Sequence, residues 1–231
     1  MTKTRNNLSL KKLLIRLNVD LDELLNWIDQ YYSVDSSFFL SEEDKIIPEQ
    51  IHDILLLEDR RYFLHLGFEL RSLPRGLKRY ITYGKFGGTS TIEQLLVRTC
   101  TGRRERTVSR KIREIIFAAI INLHRSKEEI LLAYINSAYF GPNMHGIIKA
   151  SKFLFDTAPS NLTPEQSAFI ASLLPYPLPP NIYYSVSDRD VFSSPEEILQ
   201  LFQSSNPWWT SRVHKRMDYL ASLRLTKKEV F

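Results

Sequence analysis

The sequence predicts a mainly α protein. Apolar residues recur mostly at three- and four-residue spacing, and alternating apolar–polar runs are scarce. Few turn dipeptides interrupt the periodic stretches, and helix-start signals do so instead. The chain has 231 residues, 43% apolar and 25% charged. That is enough for one large domain, or a domain with an appended lobe, around a sizeable core.

Taken in order, Asp20-x-x-Glu23 is a capping-box pattern that opens a helix to about Tyr32. The polar run SVDSSFFLSEEDK follows as a loop. Pro48 then sits early in a helix that delivers the apolar run Ile54 to Leu57 and ends at Glu58 and Asp59. Residues 67–89 hold Gly67, Pro74, Gly76, Gly84, Gly87 and Gly88, a long punctuated connection. Ser90-x-x-Glu93 is a second capping box, opening a helix from Thr91 to about Arg98. After the basic loop TGRRER a helix runs from about Thr107 to His124, with Ile112, Ile115, Ile116, Ala119, Ile120 and Leu123 as its apolar stripe. Ser126-x-x-Glu129 caps the next helix, expected to end near Gly141-Pro142. Thr163-Pro164-x-Gln166 caps another, which stops at LLPYPLPPN because proline cannot continue it. Ser194-Pro195-x-Glu197 and the segment after Trp209 give two last helices.

A net charge of +5 and a pI of about 9.2 favour anionic partners without choosing among them. Cys100 is the only cysteine, so no internal disulfide forms, which fits a reducing compartment without excluding the periplasm. The basic N-terminus has no apolar run of signal length, and no stretch of about 20 apolar residues marks a transmembrane helix.

Four segments carry residues with chemistry. Glu58 lies at the end of a buried stripe, where a carboxylate needs either a partner such as Arg60 or Arg61 or a cleft that uses it. The segment KFGGTSTIEQLLVR places glycines and hydroxyls at a helix start, which suits an anion site or a plain capped loop. In RTCTGRRERTVSRKIRE, Arg98, Arg103, Arg104, Arg106, Arg110, Lys111 and Arg113 make either a phosphate grip or a solvated face. Glu114 sits beside the apolar stripe, with Arg110 and Lys111 one turn upstream, either as a structural ion pair or as part of a site. The segments SKEEILLAYINSAYFG and LTPEQSAFIASLLPYPLPP read as core helices when taken alone.

In order and at these spacings the segments resemble the peptidoglycan glycosyltransferase family, the transglycosylase domain of bifunctional penicillin-binding proteins and of monofunctional transglycosylases. Glu58, Asp59, Tyr62, His65 and Gly67 fill the first family motif, and Gly88, Ser90, Thr91, Ile92, Gln94, Leu96 and Arg98 match the second. Arg110, Lys111 and Glu114 match the third, and Ile130, Leu131, Tyr134, Asn136, Tyr139, Phe140 and Gly141 the fourth. Glu165, Ala168, Leu173, Pro175 and Pro179 match the fifth. The chain departs from the family at Thr89, Glu93 and Leu95 in the second motif and at Leu132 in the fourth. It also departs at Phe155-Asp156-Thr157, and it shows none of the family's N-terminal anchor.

The resemblance implies a lysozyme-like helical domain with a small mobile membrane-facing lobe from residues 67–89. It divides the chain into an N-terminal helical extension (1–45), a glycosyltransferase core (46–181) and a C-terminal helical extension (182–231). It implies polymerisation of lipid II into glycan strands with loss of polyprenyl diphosphate. Glu58 is the expected base and Glu114 a second catalytic carboxylate. Asp59, His65, Ser90, Thr91, Gln94, Arg98, Arg110, Lys111 and Asn136 are expected to bind substrate. A divalent cation, Mg2+ or Mn2+, is expected near Glu114. The implied partners are lipid II, the growing glycan, the bilayer surface of a bacterial inner membrane on its periplasmic face, and cell-wall synthesis proteins; nucleic acid is not among them. A weakly active scaffold that binds lipid II and a lysozyme-like glycan-cleaving enzyme are the alternatives. Cleavage of a sugar–sugar bond has no diphosphate to leave, and the basic set speaks against it.

Overall fold

The structure is a computed structural model and describes residues 2–33, 49–69, 81–82, 90–105, 107–187 and 192–226. Ten α-helices occur among the described residues. They are α1 (Thr2–Tyr32), α2 (Glu49–Glu58), α3 (Ile92–Thr101), α4 (Val108–His124) and α5 (Lys127–Ser137), followed by α6 (Ile147–Phe155), α7 (Pro164–Leu173), α8 (Pro180–Ser187), α9 (Pro195–Phe202) and α10 (Pro207–Leu225). The only sheet among them is a hairpin of β1 (Tyr139–Gly141) and β2 (Met144–His145). The mainly α class read from the periodicity is the class observed.

Two helices form the centre. Every residue from Ile130 to Ser137 of α5 is buried, and so is every residue from Gln166 to Leu173 of α7. A helix apolar on all sides belongs inside a bundle. α1 and α3 pack on α5, while α2 and α10 pack on α7. Leu24 and Ile28 of α1 and Val213, Leu220 and Leu223 of α10 are as deeply buried as the residues of the middle segment. The outer segments therefore share its core.

The capping boxes at Ser126/Glu129 and Thr163/Gln166 form as read, with side chain and backbone satisfied reciprocally. Asp20 does not open a helix. α1 is continuous from Thr2, and Asp20 instead pairs with Arg113 of α4. α1 is held further by Arg125, whose guanidinium donates to both Asp29 carboxylate oxygens at 2.7 Å. At the start of α3 the cap is Thr91 rather than Ser90; its hydroxyl accepts from the Gln94 amide at 3.4 Å. α5 ends at Ser137, short of Gly141, because the chain turns back through Pro142 and Asn143, which adopts φ 56°. The predicted stripe of α4 is also corrected. The face turned to the core is Glu114, Phe117, Ala118 and Ile121. Val108, Ile112, Ile116 and Leu123 are 75%, 53%, 48% and 77% exposed, so the more apolar face looks outward.

α2 and α10 run antiparallel, stapled at three points. Asp53 accepts from Arg224, Arg60 donates to the Tyr219 hydroxyl at 2.9 Å, and Glu58 accepts from Arg216. Pro48, the polar loop after Ser33, and residues 70–80 and 83–89 of the expected membrane-facing lobe lie outside the described residues.

Candidate active site

Glu58 is the last residue of α2, delivered there by the buried run Ile54, Leu55, Leu56. Its side chain is 16% exposed, and its carboxylate pairs with Arg216 of α10. Burial pushes its pKa above the ordinary carboxylate value. Arg216 pulls against that, the adjacent Asp59 charge adds to it, and Arg98 lowers it a little. The buried Tyr134 hydroxyl feels the same carboxylate, which raises its own already burial-elevated pKa.

The next residue turns the other way. Asp59 is 7% exposed. It lies 2.9 Å and 3.1 Å through its two oxygens from His65 Nε2, and it accepts from the backbone N–H of Ile92 at 3.1 Å. One carboxylate thus ties the turn after α2 to the first residue of α3. Gly67 completes the tie. It adopts φ 84°, and a Cβ there would run into the Ala118 carbonyl of α4. Its own carbonyl accepts from Thr91 Oγ1 at 2.8 Å and Gln94 Nε2 at 3.0 Å.

On the other side of the His65 ring, Nδ1 faces Glu93 at 3.8 Å. Glu93 is fully buried and pairs with Lys127, whose ammonium stands 4.3 Å over the Tyr62 ring. Asp59, His65 and Glu93 bring their ligand atoms within 4.8 Å of one another, a group able to hold a metal ion. His65 Nδ1 and Glu93 Oε2 are buried without a hydrogen-bond partner.

The third assembly centres on Glu114, 2% exposed. Arg98 grips it through Nε at 2.9 Å and Nη2 at 3.2 Å, Arg110 pairs with it, and Lys111 Nζ stands 3.5 Å away. Lys111 Nζ also donates to Ser90 Oγ at 2.9 Å and Gln94 Oε1 at 2.5 Å. Its pKa is lowered to about 8, first by burial; Glu114 works against that shift, while the Arg98 and Arg110 charges add to it. Three cations around one carboxylate leave an excess of positive charge facing Ser90. They also leave Glu114 little to offer a divalent cation.

Ser90, Thr91, Gln94, Arg98, Arg110, Lys111 and Glu114 are therefore gathered together, with Asp59 and His65 joined through Ile92 and Gly67. Asn136 is buried and donates to the Tyr31 carbonyl at 3.0 Å, fastening α1 to α5. Reading the sequence singled out neither Arg216 nor Lys127, which pair with Glu58 and Glu93. Arg216 carried the signal that singled out Glu114, a charge beside an apolar stripe, here Val213, Met217 and Leu220.

The model of the Transglycosylase family matches residues 26–198. The chain belongs to the transglycosylase family. The chain is 33% identical over 155 residues to Penicillin-binding protein 4 of Bacillus subtilis, a match covering 66% of the chain and 24% of that protein. It is 32% identical over 168 residues to the Biosynthetic peptidoglycan transglycosylase of Alcanivorax borkumensis, covering 67% of each. To the protein of that name from Acinetobacter baylyi it is 34% identical over 164 residues, covering 66% of the chain and 71% of the relative. The chain thus spans about a quarter of the penicillin-binding protein and about two thirds of the biosynthetic transglycosylases. α10, which supplies Arg216, lies beyond the matched region.

Proposed function

We propose that this transglycosylase polymerises a lipid-linked disaccharide, lipid II, into glycan strands. The observation that carries the reading is a carboxylate of raised proton affinity, Glu58, that feels the charge of Arg98, one member of an Arg98–Arg110–Lys111 cluster on Glu114. A sugar hydroxyl of the acceptor attacks the anomeric carbon of the donor. Glu58 takes the hydroxyl proton as the new C–O bond forms, and a raised pKa suits a base working near neutrality. The bond to the diphosphate breaks with inversion, and the departing oxygen keeps the electron pair. Arg98, Arg110 and Lys111, with the Ser90 hydroxyl, stabilise the charge that develops there. Glu114 fixes the three cations in place. Arg216 keeps the Glu58 carboxylate oriented before the acceptor arrives.

A bound divalent cation, Mg2+ or Mn2+, would neutralise the paired carboxylates and stiffen the turn behind Glu58. Asp59, His65 and Glu93 would hold it. Lys127 takes only one Glu93 oxygen, Oε1. Mn2+ binding followed by electron paramagnetic resonance should be lost in Glu93→Gln, and retention would dismiss this assignment.

The outward apolar face of α4, with Ile112, Ile116 and Leu123 exposed, is the contact with the bilayer that holds the substrate's lipid tail. Among the described residues no helix is long and apolar enough to cross a membrane. A glycan-cleaving reading would ask Glu114 to act as a second acid, a role its three cations deny it. The test is purified protein with labelled lipid II and Mn2+, products resolved by size. Glu58→Gln should lower polymer formation by about two to four orders of magnitude with the fold intact. Near-normal product from that variant would remove Glu58 from the mechanism.

A further inference from the structure

The proline turn after α7 and the start of α10 enclose a groove of about 550 Å³ lined by Pro175, Tyr176, Pro179, Asn206, Pro207 and Trp208, among others. Its walls are fixed. Trp209 is 4% exposed and donates its indole N–H to the Tyr176 carbonyl at 3.0 Å, so the turn and the helix cannot separate without breaking that bond. Trp208 is the reverse, 63% exposed, with the Tyr176 ring against it edge-on at 5.8 Å and the Arg212 guanidinium 5.5 Å from its centroid. The Asn206 side chain accepts from Asn181 at 3.1 Å through its oxygen, while its Nδ2 is buried without a partner.

Trp208, Arg212 and Arg216 follow one another at four-residue intervals on α10. At 1.5 Å per residue the interval from Trp208 to Arg216 is about 12 Å along the helix. Arg216 holds Glu58, so the same side of α10 leads from the groove to the site.

We propose that this groove binds the saccharide strand, an inference that rests on the polymerase reading above. The chemistry favours a sugar over other occupants. An exposed indole is a platform for the C–H face of a pyranose, as large amphipathic rings are where one side is apolar and the other wet. The unpartnered Asn206 amide suits an N-acetyl carbonyl. Arg212 complements the carboxylate that acidic amino sugars carry, through charge-assisted hydrogen bonds.

The experiment is a tryptophan-fluorescence titration of the full chain with two probes, a neutral tetramer of N-acetylglucosamine and an anionic muramic-acid-containing tetrasaccharide. Both should give a saturable change, the anionic probe binding about tenfold tighter, a difference worth about 1.4 kcal/mol. Trp208→Ala, a change at an exposed position, should abolish the response while leaving the melting temperature unchanged. Arg212→Gln should bring the two probes level, and Glu58→Gln should bind as the wild type does. A response that survives Trp208→Ala, or none in the wild type, overturns the proposal. Saturation by a proline-rich peptide with no response to either saccharide overturns it too, in favour of a peptide site. Polymer synthesis without a saccharide response would overturn the groove alone. A saccharide response without synthesis would keep the groove and overturn the polymerase reading.

Discussion

Lys111 should set the alkaline limit of activity. Its ammonium is buried among Ser90, Gln94 and Glu114 with two arginines close by, and its pKa falls from 10.5 to about 8. At about 1.4 kcal/mol per pKa unit, that displacement is on the order of 3 kcal/mol in favour of the neutral amine. The clamp therefore loses one of its three charges as pH rises through about 8, well below the range where an ordinary lysine titrates. Above that point kcat/KM should fall about tenfold per pH unit if the charged form alone is competent. Stability should move the opposite way. A lysine whose native pKa lies below its unfolded value binds fewer protons when folded, so its contribution grows as pH rises from about 8 to 10.5 and is lost as pH falls through about 8. The assay is polymerisation rate from pH 6 to 10 for wild type and Lys111→Arg, with denaturant unfolding of wild type and Lys111→Met over the same range. Arginine stays charged throughout, so the alkaline limb should vanish in Lys111→Arg even if its plateau is lower. A limb near pH 8 that persists in that variant would refute the reasoning. So would a wild-type rate that stays flat to pH 10.

Arg216→Gln removes the pairing that pulls the Glu58 pKa down, so the acidic limb of the rate profile should move to higher pH; an unmoved limb would mean that Arg216 does not tune the base. Arg224→Ala strands the fully buried Asp53 carboxylate and should cost about 3–5 kcal/mol in urea unfolding, whereas a loss below 1 kcal/mol would show that water reaches Asp53. Ile112→Asp with Ile116→Asp on the outward face of α4 should lower partition to anionic liposomes by about tenfold or more, with little change in melting temperature. Binding that is unaltered by the pair would move the membrane contact elsewhere.

The sequence made the helices legible wherever a cap and a core face agreed. α5 and α7 open at boxes whose two partners lie three residues apart, so nothing beyond local chemistry is needed to place them. Asp20 misled because a capping pattern inside a longer helix looks the same as one at its start; only Arg113, far along the chain, shows what Asp20 binds. Ser90 and Glu93 misled for a related reason. Glu93 is drawn inward by Lys127 and His65, and Thr91 takes over the cap. For α4 the apolar residues outnumber what the core can cover, and the count favoured the face that ends up outside. The gathering of Ser90, Gln94, Arg98, Lys111 and Glu114 was legible because α3 and α4 are neighbours in sequence. Arg216 was not, since 158 residues separate it from Glu58 and no local pattern specifies a contact across that distance.

The antiparallel staple between α2 and α10 has a consequence for biogenesis. The residues around Glu58 are made early, yet Arg216 and Arg224 belong to the last helix described. While the chain is being synthesised, Asp53 and Glu58 wait in a half-built interior whose closing element has not emerged. Domains assemble as their segments become available. Here Glu58 and Asp53 gain their arginine partners only when α10 docks.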